Sequence, residues 1–286
     1  MKIVLNKILV PLDFSQASKD ALDYAVHISK IYGSEVELLH VVETYEFNSS
    51  YRDESTAREI IEQGIRAKFD DIVSELDAED VKFSYAYRTG KIYRQIDFHA
   101  TETAANLIVM GTHGASENTG DIAKFMLGTN ANRVVHQASC PVLTVKNKEH
   151  DINFKKILLP LDITKATRQK VAQAIEIAKT FNSEIHLLAV SSYVDNFQED
   201  ANFLELRLKE VADEVAAEGI KVFKCIERNE SPAHAIKEYS RINDIDLTVI
   251  MTKQEKKWDE FLLGSQAKKV ITQSDTPVLS LQPRKG

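Results

Sequence analysis

Three glycines and one hydroxyl in this chain are spaced to hold a phosphate. Gly111-Thr112-His113-Gly114 follows a short apolar run, Leu107 to Met110, and Gly128-Thr129-Asn130 opens a helical pattern after residues 115–127. Glycine permits tight turns and a close approach of backbone to ligand. Backbone N–H groups at a helix N-terminus, with the Thr129 hydroxyl beside them, favour an anion. Two further segments supply complementary groups: Pro11-Leu12-Asp13 ends one apolar run, and Val41-Val42 ends another. The Asp13 carboxylate can accept hydrogen bonds from ribose hydroxyls or from an adenine amine. It, or Ser15, can also cap the helix that follows, and the two roles are compatible.

The elements that must bring these segments together occur twice. Residues 7–13, Lys-Ile-Leu-Val-Pro-Leu-Asp, return as residues 156–162, Lys-Ile-Leu-Leu-Pro-Leu-Asp, at an offset of 149. Leu127-Gly128-Thr129 returns as Leu263-Gly264-Ser265, and Pro141-Val142-Leu143 as Pro277-Val278-Leu279, at an offset of 136. A unit repeated at this spacing is a duplicated domain, with the copies expected over residues 1–147 and 154–283.

Within the first copy, Ile8-Leu9-Val10 reads as a strand buried on both faces. A helix follows with Ala17, Ala21, Ala25 and Ile28 on one side, ended by Gly33. Strand 36–42, a helix carrying Ile61, Ile65, Phe69, Ile72 and Leu76, strand 81–87 and helix 91–104 come next. Strand 107–110, the glycine loop, helix 123–137 and strand 141–145 complete the copy. Strands alternating with helices predict an α/β fold, a five-stranded parallel sheet with helices on both faces. The second copy repeats the order. The offset falls from 149 to 140 at Arg88/Arg228, which assigns the first copy nine extra residues around its second helix. It falls again to 136 across the glycine loop, a further four. In an open parallel sheet the ligand crevice lies outside the carboxyl ends of the strands, where the strand order reverses.

The bulk properties narrow the function. The chain has 286 residues and a net charge of −7, and its first 150 residues hold 22 acidic against 16 basic side chains. An acidic chain without a Lys/Arg run is a poor nucleic-acid binder. No apolar stretch approaches the ~20 residues of a membrane span, and no charged, apolar leader opens the sequence; a cytoplasmic location is expected. Cys140 and Cys225 stand at non-equivalent positions and read as buried, inert thiols. His27, His40, His99, His136, His186 and His234 lack metal-ligand spacing and read as ordinary residues. His113, alone in its loop, reads as solvent-exposed. The dinucleotide fingerprint, the P-loop and the Gly-x-Ser-x-Gly elbow are all absent, which excludes the enzyme classes built on them.

The ordered set resembles the universal stress protein family in its nucleotide-binding branch. It comprises Ile-Leu-Val-Pro-Leu-Asp at 8–13, Leu-Leu-His-Val at 38–41, Val-Met-Gly-Thr-His-Gly at 109–114 and Cys-Pro-Val-Leu-Thr-Val at 140–145. The resemblance covers nearly the whole chain, and the branch motif is Gly-x2-Gly-x9-Gly-Ser/Thr. It implies two tandem Rossmann-like domains of the adenine nucleotide alpha hydrolase-like type. It also implies an ATP or AMP site, with Mg2+ as an optional companion. Pro11, Asp13 and the Val41 backbone would meet the nucleoside. Gly111, Thr112, His113, Gly114, Gly128, Thr129 and Asn130 would line the phosphates. The implied role is that of a stress-response sensor or regulator with an unidentified regulatory protein partner. The last strands of the two copies would pair as an intramolecular pseudo-dimer, and a homodimer of chains is a further possibility. Alternatives from other classes are a nucleotide-independent interaction scaffold, and a slow ATPase or self-phosphorylating protein with Thr129 or Ser116 as acceptor.

This chain departs from the motif in both copies. Thirteen residues separate Gly114 from Gly128, and the added stretch carries Glu117 and Asp121. These would repel a triphosphate unless a divalent cation intervenes or the loop swings outward. In the second copy Pro160, Asp162, Val190, Gly264 and Ser265 remain, but Met251 and Gln254 replace the first two glycines. Glu255 adds negative charge, which Lys253, Lys256 and Lys257 partly offset. The second copy is therefore expected to be degenerate.

Overall fold

The computed structural model describes residues 4–43, 54–113, 128–147, 152–161, 167–191, 197–252 and 265–282. The chain divides into two compact units, one holding Val4–Lys124 and Gly128–Lys148, the other Glu149–Gly286.

The first unit runs β1 (Lys7–Pro11), α1 (Gln16–Tyr32), β2 (Glu35–Val42), α2 (Glu54–Ser74), β3 (Phe83–Thr89), α3 (Ile92–Glu102), β4 (Leu107–Gly111), α4 (Thr129–Gln137), β5 (Val142–Val145). Its strands lie in the order β3-β2-β1-β4-β5, every neighbour parallel. Right-handed crossovers in this order put α1 and α2 on one face and α3 and α4 on the other. The reversal falls between β1 and β4, which makes their carboxyl ends the crevice of the sheet. Ile8, Leu9 and Val10 are fully buried, as expected for a central strand covered on both sides. Helix α1 buries Ala21, Leu22, Ala25, Val26 and Ile28, and ends where Gly33 enters the left-handed region at φ 68° and donates to Ser29 O at 2.7 Å. Only glycine adopts that conformation without steric cost.

The second unit repeats the plan: β6 (Lys156–Leu161), α5 (Thr167–Phe181), β7 (Glu184–Ser191), α6 (Phe197–Ala217), β8 (Val222–Arg228), α7 (Pro232–Ile242), β9 (Leu247–Met251), α8 (Ser265–Gln273), β10 (Val278–Leu281). The strand order is β10-β9-β6-β7-β8, again parallel throughout.

Strand pairing corrects the alignment of the copies in one place. Val42 pairs with Thr89, and the equivalent Ser191 pairs with Arg228. The offset in the third strand is therefore 139, not 140, and Arg228 corresponds to Thr89 rather than to Arg88. It becomes 140 only at the next helix, α3 against α7. The second copy thus lacks ten residues before its third strand and carries one more in the turn after it. A shift of one within a strand would turn every side chain to the opposite face, so the turn absorbs it. Cys140 is buried as expected, but Cys225 on β8 is only half-buried.

Candidate functional site

The crevice of the first copy begins where β1 ends. Pro11 pairs with Leu39, and the Leu12 N–H donates to Leu39 O at 2.8 Å before the chain leaves the sheet. Asp13 Oδ1 accepts from the Ser15 N–H at 3.0 Å and from its hydroxyl at 2.5 Å. Ser15 Oγ in turn accepts from the Ser18 N–H at 3.3 Å and is the N-cap of α1. One oxygen of Asp13 therefore braces the capping residue instead of capping the helix directly. Between them Phe14 sits in the left-handed region at φ 65°, a conformation that costs a non-glycine residue about 1–2 kcal/mol. Its ring is held by His40 at 4.7 Å and Phe69 at 5.7 Å, with the Lys68 ammonium 4.9 Å from the ring centroid. His40 Nδ1 donates to Leu12 O at 2.6 Å, tying the turn to β2.

Val41 lies on β2 beyond the last residue that β1 pairs. Strand groups alternate in direction, so the backbone of Val41 faces the same side as Leu39 O, toward the space β1 has left.

The glycine segment forms the other wall. Thr112 is buried; its N–H donates to Val145 O at 2.9 Å, and its carbonyl accepts from the Gly128 N–H at 2.9 Å. The excursion between them is thus closed at its base, and α4 starts beside the end of β4. Gly128 is the N-cap of α4 and no side chain caps the helix, which leaves the first-turn N–H groups to other acceptors. Thr129 is exposed and Asn130 half-buried at that end. His113 is half-buried rather than solvent-exposed; Nδ1 shares a hydrogen bond with Thr112 Oγ1 at 2.9 Å. Its Nε2 is shielded from solvent without a hydrogen-bond partner among the described residues.

Gly111 is glycine for a reason the sequence did not reveal. A Cβ there would lie 2.8–2.9 Å from the carbonyl carbon, carbonyl oxygen and Cβ of Ala17 in the first turn of α1. The close approach is made by the chain's own helix. Pro11, Asp13, Val41, Gly111, Thr112, His113, Gly128, Thr129 and Asn130 thus stand at the carboxyl ends of β1, β2 and β4 and at the head of α4. Gly114, with Glu117 and Asp121, lies outside the described residues.

Sequence reasoning missed a second polar cluster, on the opposite face of β2. Glu37 and His99 are both buried, with His99 Nε2 3.3 Å from Glu37 Oε1 and Lys7 Nζ 3.2 Å from Oε2. At 3.3 Å the imidazole contact is longer than a well-formed hydrogen bond. Arg88 Nε donates to His99 Nδ1 at 3.2 Å and its other end pairs with Glu102. Burial alone would raise the Glu37 carboxyl, but His99 and then Lys7 bring it down to about 2. The aligned offsets carried the signal: Glu37 corresponds to His186, and His99 to Tyr239.

In the second copy that position is rebuilt. His186 Nδ1 lies 3.0 Å from the Tyr239 hydroxyl and Nε2 3.1 Å from Glu184 Oε1, with the ring stacked on Phe223 at 4.7 Å. Burial pulls the His186 pKa down and pushes Tyr239 up to about 12, so the phenol stays a donor. At the crevice itself, Met251 takes the place of Gly111 and is 4 % exposed, and the buried Lys170 takes the place of Ala21 and donates to Pro160 O. Asp162, Gln254, Glu255 and Gly264 lie outside the described residues.

The Universal stress protein family model matches residues 5–146 and again 153–281. Universal stress protein YxiE of Bacillus subtilis is 29% identical over 154 residues, spanning 50% of this chain and 100% of its own length. A universal stress protein of Mycolicibacterium smegmatis is 22% identical and covers 97% of each chain. Among solved structures, a universal stress protein from Archaeoglobus fulgidus shares the fold with a TM-score of 0.74 at 22% identity, covering 97% of this chain and 96% of that one. Two matches of one family model, in tandem and over most of the length, establish that this chain belongs to the universal stress protein family.

Proposed function

We propose that the first copy binds an adenine nucleotide, ATP or AMP, and that the chain acts in the cytoplasm as a stress-response sensor or regulator rather than as a turnover enzyme. The observation that carries this reading is the head of α4. It has no side-chain cap, it is bonded through Gly128 to Thr112, and it lies at the reversal of strand order. Such an end attracts phosphate. The unpartnered His113 Nε2 adds a donor or acceptor beside it. Asp13 and the Val41 backbone supply the directional groups that a ribose and a purine edge require.

The residues fit a nucleotide better than a protein-held metal. Among the described residues no three His, Cys, Asp or Glu side chains gather to hold an ion, so Mg2+ would be held chiefly by the phosphates. No helix among the described residues is long and apolar enough to cross a membrane. The second copy is read as degenerate, because Met251 and Lys170 add bulk and charge where the first copy has Gly111 and Ala21.

The test is the nucleotide content of freshly purified protein, followed by titration of stripped protein with ATP and AMP, with and without magnesium. We expect about one nucleotide per chain, the ratio set by a single working crevice, and its loss in Gly128→Val. Two per chain would overturn the reading of the second copy. None, with no titration signal, would leave the interaction scaffold.

A further inference from the structure

The first copy carries a second basic feature, independent of the glycine loop. Tyr93, in the first turn of α3, lies under two guanidinium groups. Arg133 of α4 is centred 4.6 Å from its ring and Arg94 is 5.9 Å away. Lys91, the N-cap residue of α3, stands two residues before Tyr93 and caps nothing with its side chain. Lys91, Arg94 and Arg133 are all exposed. None of the three forms an ion pair with a carboxylate among the described residues, although Lys7, Lys30, Lys82 and Arg88 of the same copy all do. The hydrogen bond from Arg94, and then the charges of Arg94, Arg133 and Lys91, draw the Tyr93 pKa downward.

Three cations gathered without a carboxylate partner among the described residues make a local positive field in a domain with an excess of acid. The second copy provides the internal control. By the helix offsets Lys91, Tyr93 and Arg94 become Ser231, Ala233 and His234, and only Arg133 keeps a cation, as Lys269. The cluster is confined to the copy that keeps the glycines.

We propose that Arg94 and Arg133, ordered on Tyr93, bind a compact, multiply charged phosphate group together with the neighbouring Lys91. Guanidinium forks match phosphate oxygens two at a time, and stacking on Tyr93 fixes the forks before the ligand arrives. The head of α3, free of a side-chain cap, adds the positive end of an eleven-residue helix. Residues 1–150 carry 22 acidic against 16 basic side chains, an excess that repels an extended polyanion, so a nucleic acid or a long acidic peptide fits poorly. The group can belong to a free polyphosphate or to the tail of the nucleotide proposed above; only the second source rests on that reading.

Tripolyphosphate, titrated calorimetrically into the full chain at low and moderate salt, tests the site. Binding is expected to weaken by about tenfold or more in the triple variant Lys91→Gln, Arg94→Gln, Arg133→Gln, and by less in Arg133→Lys, which keeps the charge but loses the fork. It is expected to persist in Gly128→Val. An unchanged thermal midpoint shows that the triple variant is folded. ATP affinity that falls in the triple variant while AMP affinity holds assigns the patch to the nucleotide tail. Unchanged ATP affinity assigns it to a free polyphosphate. The proposal is overturned if the wild-type chain binds no tripolyphosphate, or if Gly128→Val abolishes binding while the triple variant keeps it. It is also overturned if polyglutamate binds as tightly as tripolyphosphate.

Discussion

Helix α1 and helix α5 perform the same task in the two copies and approach their sheets on different terms. In the first copy Gly111 and the small residues Ala17 and Ala21 let the head of α1 lie directly against the end of β4. In the second copy the buried Met251 and Lys170 occupy the positions equivalent to Gly111 and Ala21, so side chains stand where the first copy has none or a methyl. The difference separates two meanings of a motif glycine. Gly111 is required by the packing of its own helix, whatever else enters the crevice. Gly128 sits at a helix head with no side-chain cap and is the better probe of ligand binding.

The buried pairs on the other face teach a related lesson. Glu37 with His99 and His186 with Tyr239 occupy equivalent places, with Leu9 and Leu158 as the strand neighbours. Acid on strand and imidazole on helix become imidazole on strand and phenol on helix. A buried polar pair is replaced as a unit, because either half alone leaves an unpaired group.

Four measurements test the contrast between the copies, each followed in both copies through peptide-resolved hydrogen exchange in urea. His99→Leu should have the largest effect. It removes one partner of a buried carboxylate, which costs about 3–5 kcal/mol, and the loss should fall on the first copy alone. The added change Glu37→His with His99→Tyr, which copies the second unit, should retain more stability than His99→Leu; if it does not, the pairs are not interchangeable units.

Met251→Ala should destabilise the second copy by about 2–5 kcal/mol through the cavity it leaves. No change there would mean that α5 closes onto β9 as α1 does onto β4. Gly111→Ala should cost the first copy about 1–3 kcal/mol through overpacking against Ala17. A neutral result would show that α1 yields freely.

Acid should produce the smallest and most selective effect. The folded pKa of His186 lies below 6.5, so the unfolded chain takes up this proton first. The contribution is complete above pH 6.5 and is lost as pH falls below it. Glu37 is held at about 2 against an ordinary 4.5, so its contribution is present above pH 4.5 and is lost between there and about 2. Between pH 6.5 and 4.5 protection should therefore decline around β7 and α7 before it declines around β2 and α3. Simultaneous loss would remove the distinction between the pairs.

The strands of the first copy were legible because β1, β4 and β5 are apolar runs buried on both faces, and β2 keeps Val36, Leu38, Leu39, Val41 and Val42 around Glu37 and His40. The edge strand β3 begins at Phe83, two residues later than its alternation suggests, and α2 begins at Glu54, within a polar stretch that carries no apolar period. The residue types at the crevice were also legible, since glycine, Asp13 and a hydroxyl at a helix head declare their chemistry locally. What depends on distant partners was not. Ala17 behind Gly111, the left-handed Phe14 propped by His40 and Phe69, and the pair Glu37–His99 arise only when separate segments pack together. His99, read as ordinary, bridges Arg88 and Glu37. The one error of register, at Arg228, came from matching two arginines by identity when the strand pairing follows position.

The extra residue in the turn after β8 limits how the two halves can be recombined. A chimera that exchanged β3 for β8 by matching Arg88 to Arg228 would enter the sheet inside out, with core-facing side chains in solvent and charges against the helices. Cut at Gly90 and Asn229, which donate equivalently to Val42 O and Ser191 O at 2.9 and 3.0 Å, the same exchange keeps its parity. Natural duplications drift under the same restriction: loops and turns are free to count differently, and strands are not.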